Sequence, residues 1–250
     1  MKQLDGKVAL ITGASKGLGK AMALALGEAG AQVALVSRDL AQLSAVAVEV
    51  RQRGACAEVF QADIASEEQV WRLEQEVVAR FGKVDILINN AGINIRKPLV
   101  EFTLEEWNSV MDTNLTSVFL MCRAFIPHMS GRGYGRIINM TSIMSHVSLP
   151  GRTVYSSSKS GLLGLTRALA QELAADGITV VGISPGPFGT EMNTALMNDP
   201  VVNAQFVSSI PLGRWGKVEE IGQLALFLCS EDASFITGTD ILIDGGWCSR

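Results

Sequence analysis

An apolar run, Val8-Ala9-Leu10-Ile11, stops at Thr12-Gly13, and glycines at 13, 17 and 19 lead the chain straight into a helix-period pattern. No other feature restricts the fold so strongly. The run has the character of a strand buried on both faces. Leu18, Met22, Ala25, Leu26 and Ala29 then recur at helical spacing until Gly30 supplies the stop. Gly13 permits a tight turn between the two elements. Gly17 lets main-chain N–H groups and a helix N-terminus approach a pyrophosphate, and Gly19 lets the helix pack close to the sheet. The alternative is an ordinary strand-to-helix turn, and three glycines at this spacing in this context weigh against it.

The alternation continues. Val33-Ala34-Leu35-Val36 and the stretches 56–61, 85–88, 136–140, 178–183 and 241–243 read as strands two to seven. Between them lie helices over about 40–53, from a Ser66/Gln69 capping box towards Phe81-Gly82, from Thr103 with Glu106 through Phe125, and over roughly 154–175. Buried-strand runs alternating with helices predict an α/β fold, a doubly wound sheet of seven parallel strands with helices on both faces. No linker, repeat or low-complexity stretch divides the chain, so residues 1–250 read as a single domain. In such sheets ligands bind past the carboxyl ends of the strands, where strand order reverses. The chemically informative residues fall at those ends: 12–19, Ser37-Arg38, Asp63, 89–92, Ser142 and Pro185-Gly186.

Composition excludes several classes of function. A formal net charge of -4 argues against nucleic acid as a partner, which needs clustered Lys and Arg. The first seven residues are polar, and the apolar run after them is too short for a signal-peptide core. No later run reaches membrane-spanning length, so a cytoplasmic location without membrane contact is expected. Cys56, Cys122, Cys229 and Cys248 are scattered and read as reduced thiols. His128 and His146 are too few and too far apart for a metal site, although His146 lies close enough in sequence to Ser142 to touch a substrate. The charged fraction of 18% is low, which fits a surface partly covered by other subunits.

The end of strand two bears on the cofactor. A carboxylate there would bond the adenosine ribose hydroxyls and repel a 2′-phosphate. This chain has Ser37-Arg38 instead, with Lys16 inside the glycine loop. Two cations and a small hydroxyl suit a 2′-phosphate, so NADP(H) is preferred, with NAD(H) as the alternative. Asp39, the next residue, reads as the cap of the following helix. Downstream, Tyr155 and Lys159 are four apart, so on a helix both side chains leave one face. A neighbouring ammonium favours the phenolate, and a phenol lowered in pKa can pass a proton to or from a carbonyl or hydroxyl oxygen. For an isolated pair, the alternative is a solvated Tyr/Lys on a helix surface.

The glycine loop TGxxxGxG, Asn89-Asn90-Ala91-Gly92, Asn114, Ser142, the YxxxK of Tyr155 and Lys159, and Pro185-Gly186 occur in one order. Together they resemble the short-chain dehydrogenase/reductase family over essentially the whole chain. The resemblance implies a Rossmann-type fold and reversible hydride transfer between NADP(H) and an alcohol or ketone. It makes Asn114, Ser142, Tyr155 and Lys159 the catalytic residues. Ser142 holds the substrate oxygen, Tyr155 is the acid/base, Lys159 bonds the nicotinamide ribose, and Asn114 orders a proton-relay water at a helix irregularity. The implied cofactor contacts are Gly13, Ser15, Lys16, Gly17, Leu18, Gly19, Ser37, Arg38, Asp63, Ile64, Asn90, Ala91, Gly92, Thr113, Tyr155, Lys159, Pro185, Gly186, Phe188 and Thr190. Thr141, where the family often has a serine, is a small departure.

Two segments similar to those of gluconate 5-dehydrogenase-like members shape the substrate end: residues 92–99, and a lid over 187–216. Arg96 reads as an anchor for an anionic or polyhydroxylated substrate, or as a surface arginine; Ser142, His146 and Met192 complete the candidate substrate contacts. Arg214 and Trp215 read as a stacked pair bracing the lid. The alternative function is a 3-oxoacyl-acyl-carrier-protein reductase, for which Arg96, Lys97, Arg132 and Arg152 would form a basic docking patch. A non-catalytic dinucleotide-binding regulator is the reading from a different class. The family resemblance also implies a homotetramer.

Overall fold

The computed structural model describes residues 2–249, apart from the side chains of Met192 and Ala195. Seven parallel strands form one sheet: β1 (Val8–Thr12), β2 (Gln32–Ser37), β3 (Ala57–Gln61), β4 (Ile86–Asn89), β5 (Gly135–Met140), β6 (Ile178–Pro185) and β7 (Asp240–Ile243). Their spatial order is β3-β2-β1-β4-β5-β6-β7, so connectivity reverses between β1 and β4. The crevice at such a reversal is where a doubly wound sheet takes its ligand.

Helices α1 (Gly17–Glu28), α2 (Leu40–Gln52), α3 (Glu67–Phe81), α4 (Leu104–Met111), α5 (Ser117–Phe125), α6 (Thr153–Leu173), α7 (Thr194–Asn198), α8 (Pro200–Ser208) and α9 (Val218–Cys229) connect the strands. Strand periodicity of two sorts the core into two layers. Ala9 and Ile11 of β1 pack with Met22 and Leu26 of α1, Leu43 of α2 and Ile221 of α9. Leu10, between them, packs to the other face with Leu73 of α3, Met121 and Phe125 of α5 and Leu162 of α6. Each of the Leu, Ile, Met and Phe side chains among them contributes roughly 1.5–3 kcal/mol by leaving water. The burial of every residue of β1 follows from having helices on both sides.

Local signals behave mostly as their chemistry dictates. Asp39 caps α2, its Oδ1 accepting the Gln42 N–H at 3.0 Å. Thr103 and Glu106 complete a reciprocal capping box on α4. Ser66 forms only half of one. Its hydroxyl accepts the Gln69 N–H, but Gln69 Oε1 turns instead to the Asp63 N–H at 2.9 Å. The amide therefore clamps the end of β3, the place where a ligand contact was expected. The long fourth helix is also not one regular rod: residues Asp112–Thr116 form a π-helical turn between α4 and α5.

The segment 187–216 leaves the sheet after β6 and carries α7 and α8. Its two ends meet. Phe188 and Gly216 form a parallel bridge, the Gly189 N–H donates to the Gly216 carbonyl at 3.0 Å, and the Gly216 N–H donates to the Pro187 carbonyl at 2.9 Å. Only a glycine fits at 216, because an added Cβ would come within 2.5 Å of the Phe188 ring. Among the described residues no helix is long and apolar enough to cross a membrane, and all four cysteines are free thiols.

Candidate active site

A deep cleft runs across the carboxyl ends of β1, β2, β4, β5 and β6. Its floor at one end is the glycine turn. Gly13 and Gly17 have φ of 63° and 54°, a left-handed region that residues with a Cβ rarely adopt. A Cβ on Gly13 would stand 2.8 Å from the Ala91 Cα, and one on Gly19 would collide with the Gly13 carbonyl oxygen. Asn90 ties this turn to β4: its Nδ2 donates to the carbonyls of Thr12 (2.9 Å) and Gly13 (3.1 Å), and its N–H donates to Thr12 Oγ1 at 3.0 Å. Asn89 points the other way and bonds Asn139 within the core. The α1 N-terminus has no side-chain cap and no acidic residue in its first turn. Its amides are thus left to an anion, and the cradle fits a dinucleotide pyrophosphate.

At the β2 end, Ser37, Arg38, Ser15 and Lys16 line the cleft together. Ser37 Oγ donates to Ser15 Oγ at 3.3 Å. The exposed Arg38 guanidinium stands 3.8 Å from Asp63, a loose pairing from which it can turn to a phosphate. Ile64, Ala91, Gly92, Thr113, Pro185, Gly186, Phe188 and Thr190 line the middle of the cleft. Of the sequence-predicted cofactor residues, Gly19 alone is not part of the lining, since it packs beneath the turn.

Ser142, Tyr155 and Lys159 face one another across β5 and α6. The Ser142 hydroxyl, on a buried side chain, accepts the Met144 N–H at 3.1 Å and stands near enough to the Tyr155 phenol to lower its pKa. Lys159 Nζ stands 5.9 Å from the centre of the Tyr155 ring and donates to the Met140 carbonyl at 2.5 Å. Asn114 lies in the π turn. Its Nδ2 donates to the Ile93 carbonyl (2.9 Å) and Ser158 Oγ (3.0 Å), while its Oδ1 accepts the Ile93 N–H at 2.8 Å. A Cβ on Gly92 would meet Asn114 Oδ1 at 3.2 Å and Lys159 Nζ at 3.4 Å, so these groups share one small space.

The electrostatics correct one expectation. Burial pushes the Tyr155 phenol above its ordinary value; the Ser142 hydroxyl, Arg152 and Arg96 act against that, and Lys159 is not among the groups lowering it. Burial also brings Lys159 down to about 8. Desolvation outweighs pairing because the ammonium stands beside the ring and its nearest polar partner is a carbonyl. The expected low-pKa phenol is not what the protein by itself provides.

At the substrate end, Arg96 lines the cleft and its Nη2 donates to Asn193 Oδ1 on the lid at 3.3 Å. His146 does not line it. A short 3-10 turn over Ile143–Ser145 carries the imidazole to Asp240, at 2.7 Å, so it is paired away from the lining residues despite its nearness to Ser142 in sequence. Asp240 also accepts from Thr141, the family departure. The Met192 side chain lies outside the described residues. Arg214 pairs with Glu220, and Trp215 stacks on Phe206 at 5.6 Å rather than on Arg214. Of the residues read as a basic docking patch, Arg96 and Arg152 line the cleft together and Gly151 lies against the Lys97 main chain, with the Lys97 ammonium held by Glu106 at 2.5 Å; Arg132 does not line the cleft and reaches towards Gly82 ahead of β4. Arg152, read from sequence only as part of a docking patch, lines the cleft with Phe206 and Trp215 of the 187–216 segment and with Trp247, which the sequence reading did not single out because a third, distant segment carries it.

Comparison with known proteins fits this geometry. A family model described as enoyl-(acyl carrier protein) reductase matches residues 13–248. The chain is 40% identical over 243 residues to a 3-oxoacyl-[acyl-carrier-protein] reductase of Staphylococcus epidermidis, covering 96% of this chain and 98% of that one. It is 39% identical over 251 residues to a 2-dehydro-3-deoxy-D-gluconate 5-dehydrogenase of Pseudoalteromonas atlantica, covering 99% and 98%. Among solved structures, a gluconate 5-dehydrogenase from Burkholderia cenocepacia in complex with NADP and tartrate superposes with a TM-score of 0.94 at 38% identity, covering 99% and 97%.

Proposed function

The chain belongs to the short-chain dehydrogenase/reductase family, and from that premise we propose that it catalyses reversible NADP(H)-dependent hydride transfer at a secondary alcohol or ketone of a sugar acid or polyol. The observation that carries this reading is the Ser142–Tyr155–Lys159 group facing the same cleft as the glycine cradle, with a guanidinium, Arg96, at the far end. Ser15, Lys16, Ser37 and Arg38 support a 2′-phosphate, and the Burkholderia relative carries NADP.

When bound, NADP(H) gives or takes the hydride. Ser142 and Tyr155 both direct hydrogen bonds at the substrate oxygen, and these strengthen as alkoxide charge develops, favouring the transition state. The raised Tyr155 pKa keeps the phenol protonated, the form that ketone reduction uses. Tyr155 passes its proton to the substrate oxygen in reduction and takes it back in oxidation. Lys159 charges and discharges near pH 8 and hands the replacement proton from the side of Asn114. The lid over 187–216 excludes water from the reacting carbon. Four free thiols support a reducing, cytoplasmic location.

The second reading is 3-oxoacyl-acyl-carrier-protein reductase, favoured by the Staphylococcus relative at 40% identity. Initial rates of NADPH oxidation with 5-ketogluconate and with an acetoacetyl thioester separate the two. Turnover of the keto acid, with NADPH preferred over NADH, is expected. Turnover of the thioester alone selects the second reading, and dinucleotide binding without either turnover selects a non-catalytic regulator.

A further inference from the structure

We propose that Arg152, together with Arg96, forms a carboxylate seat at the substrate end of the cleft, and that this pair sets a preference for keto acids over neutral ketoses. The proposal rests on the sugar-acid reading of the site and names the groups that would recognise the acid.

Arg152 is the N-cap residue of α6, three positions before Tyr155, so the helix that aims the phenol also sets where this residue leaves the backbone. Its backbone neighbour Gly151, with φ of 74°, lies against the Lys97 main chain, where an added Cβ would come within 3.6 Å of the Lys97 nitrogen. That contact brings residues 96 and 152 together from distant parts of the chain. Both side chains line the cleft. One terminal nitrogen of Arg152 is shut off from solvent and has no hydrogen-bond partner among the described residues. The charge bearing on Arg152 with the phenol protonated is Arg96, with no carboxylate beside it, and burial together with Arg96 lowers its pKa.

A buried guanidinium donor without an acceptor is costly, and a like charge facing it adds to the cost. One planar carboxylate removes both penalties, since two oxygens match the guanidinium fork and one negative charge answers two positive ones. Arg96 already donates to Asn193 Oδ1, and Asn193 Nδ2 donates to the Phe188 carbonyl at 3.0 Å. An acid held by Arg96 is thereby linked to the lid.

The test combines two readouts on Arg152→Gln, Arg152→Lys and Arg96→Gln, with NADPH fluorescence titration to confirm that each variant folds and binds cofactor. Calorimetric titration of tartrate into the NADP complex reads the seat without turnover. Steady-state kinetics with 5-ketogluconate and the neutral ketose sorbose read the preference. Losing a charge-assisted pair should weaken tartrate roughly 10- to 100-fold in both Gln variants, and lower the keto-acid preference by a similar factor, with Arg152→Lys between. Equal tartrate affinity in wild type and Arg152→Gln, or an unchanged preference, overturns the proposal while leaving the sugar-acid reading intact. If wild type reduces only the thioester, that reading fails and the tartrate titration decides alone: binding lost with Arg152 upholds the seat, and no binding to wild type sinks it.

Discussion

Burial drives Tyr155 and Lys159 towards their uncharged forms, raising the phenol and bringing the amine to about 8. A proton placed between two such groups is easily moved, which suits a relay. Tyr155→Phe should therefore lower kcat by about 10²–10⁴-fold, the usual worth of a positioned acid/base, while the NADPH Kd changes less than threefold. Single-turnover rates and fluorescence titration check the two halves. The buried ammonium also has a stability cost. Holding Lys159 at about 8 instead of 10.5 corresponds to about 3 kcal/mol at neutral pH. From about pH 8 to 10.5 the unfolded chain binds this proton and the folded one does not, so stability rises with pH across that window; below 8 the full cost remains. Lys159→Met should be inactive yet more stable than wild type at pH 7, with the gap closing by pH 10. Denaturant melts at both pH values read this, and an equal gap at each would contradict it.

At the level of elements, the glycine turn leaves no room for a side chain. Gly13→Ala places a Cβ 2.8 Å from the Ala91 Cα in a left-handed conformation, and should destabilise by about 1–3 kcal/mol or more and abolish NADPH binding. Thermal melts with fluorescence titration report both effects. At the end of β2, Arg38→Asp should invert the cofactor preference, with NADPH weakened roughly 10- to 100-fold relative to NADH in kcat/KM. Much of this was legible in the sequence because it is local. Apolar runs, caps and glycine spacing act within a few residues, so the strands, the Asp39 and Thr103 caps and the cradle follow from pattern alone. Long-range choices were not legible. Gln69 turns its side chain to Asp63 instead of back to Ser66, a single 3-10 turn swung His146 to Asp240, and the packing of Gly151 on Lys97 brings Arg152 to the cleft that Arg96 lines. The Tyr155 pKa was misjudged for a similar reason: spacing shows which groups are neighbours, but not how much water surrounds them.

For the whole molecule, the sheet order sets the crevice and leaves other faces apolar. Leu104 of α4 and Phe119 of α5 are exposed, and Phe235, just before β7, is fully so. We infer that these faces meet copies of the chain in a homotetramer. Light scattering should give four times the 26.7 kDa chain mass, and Phe119→Asp should shift the species to a smaller assembly. A monomeric wild type would refute this. The bridge between Phe188 and Gly216 has a separate effect. With its ends pinned to each other and its helices lying outside the sheet, the intervening stretch is a cassette. Its second half is seated on the body, Ile210 and Phe206 packing with Ile143, Met144 and Trp247, so changes of length are best borne by the stretch ahead of that anchor, where new chemical tastes can evolve at small structural risk.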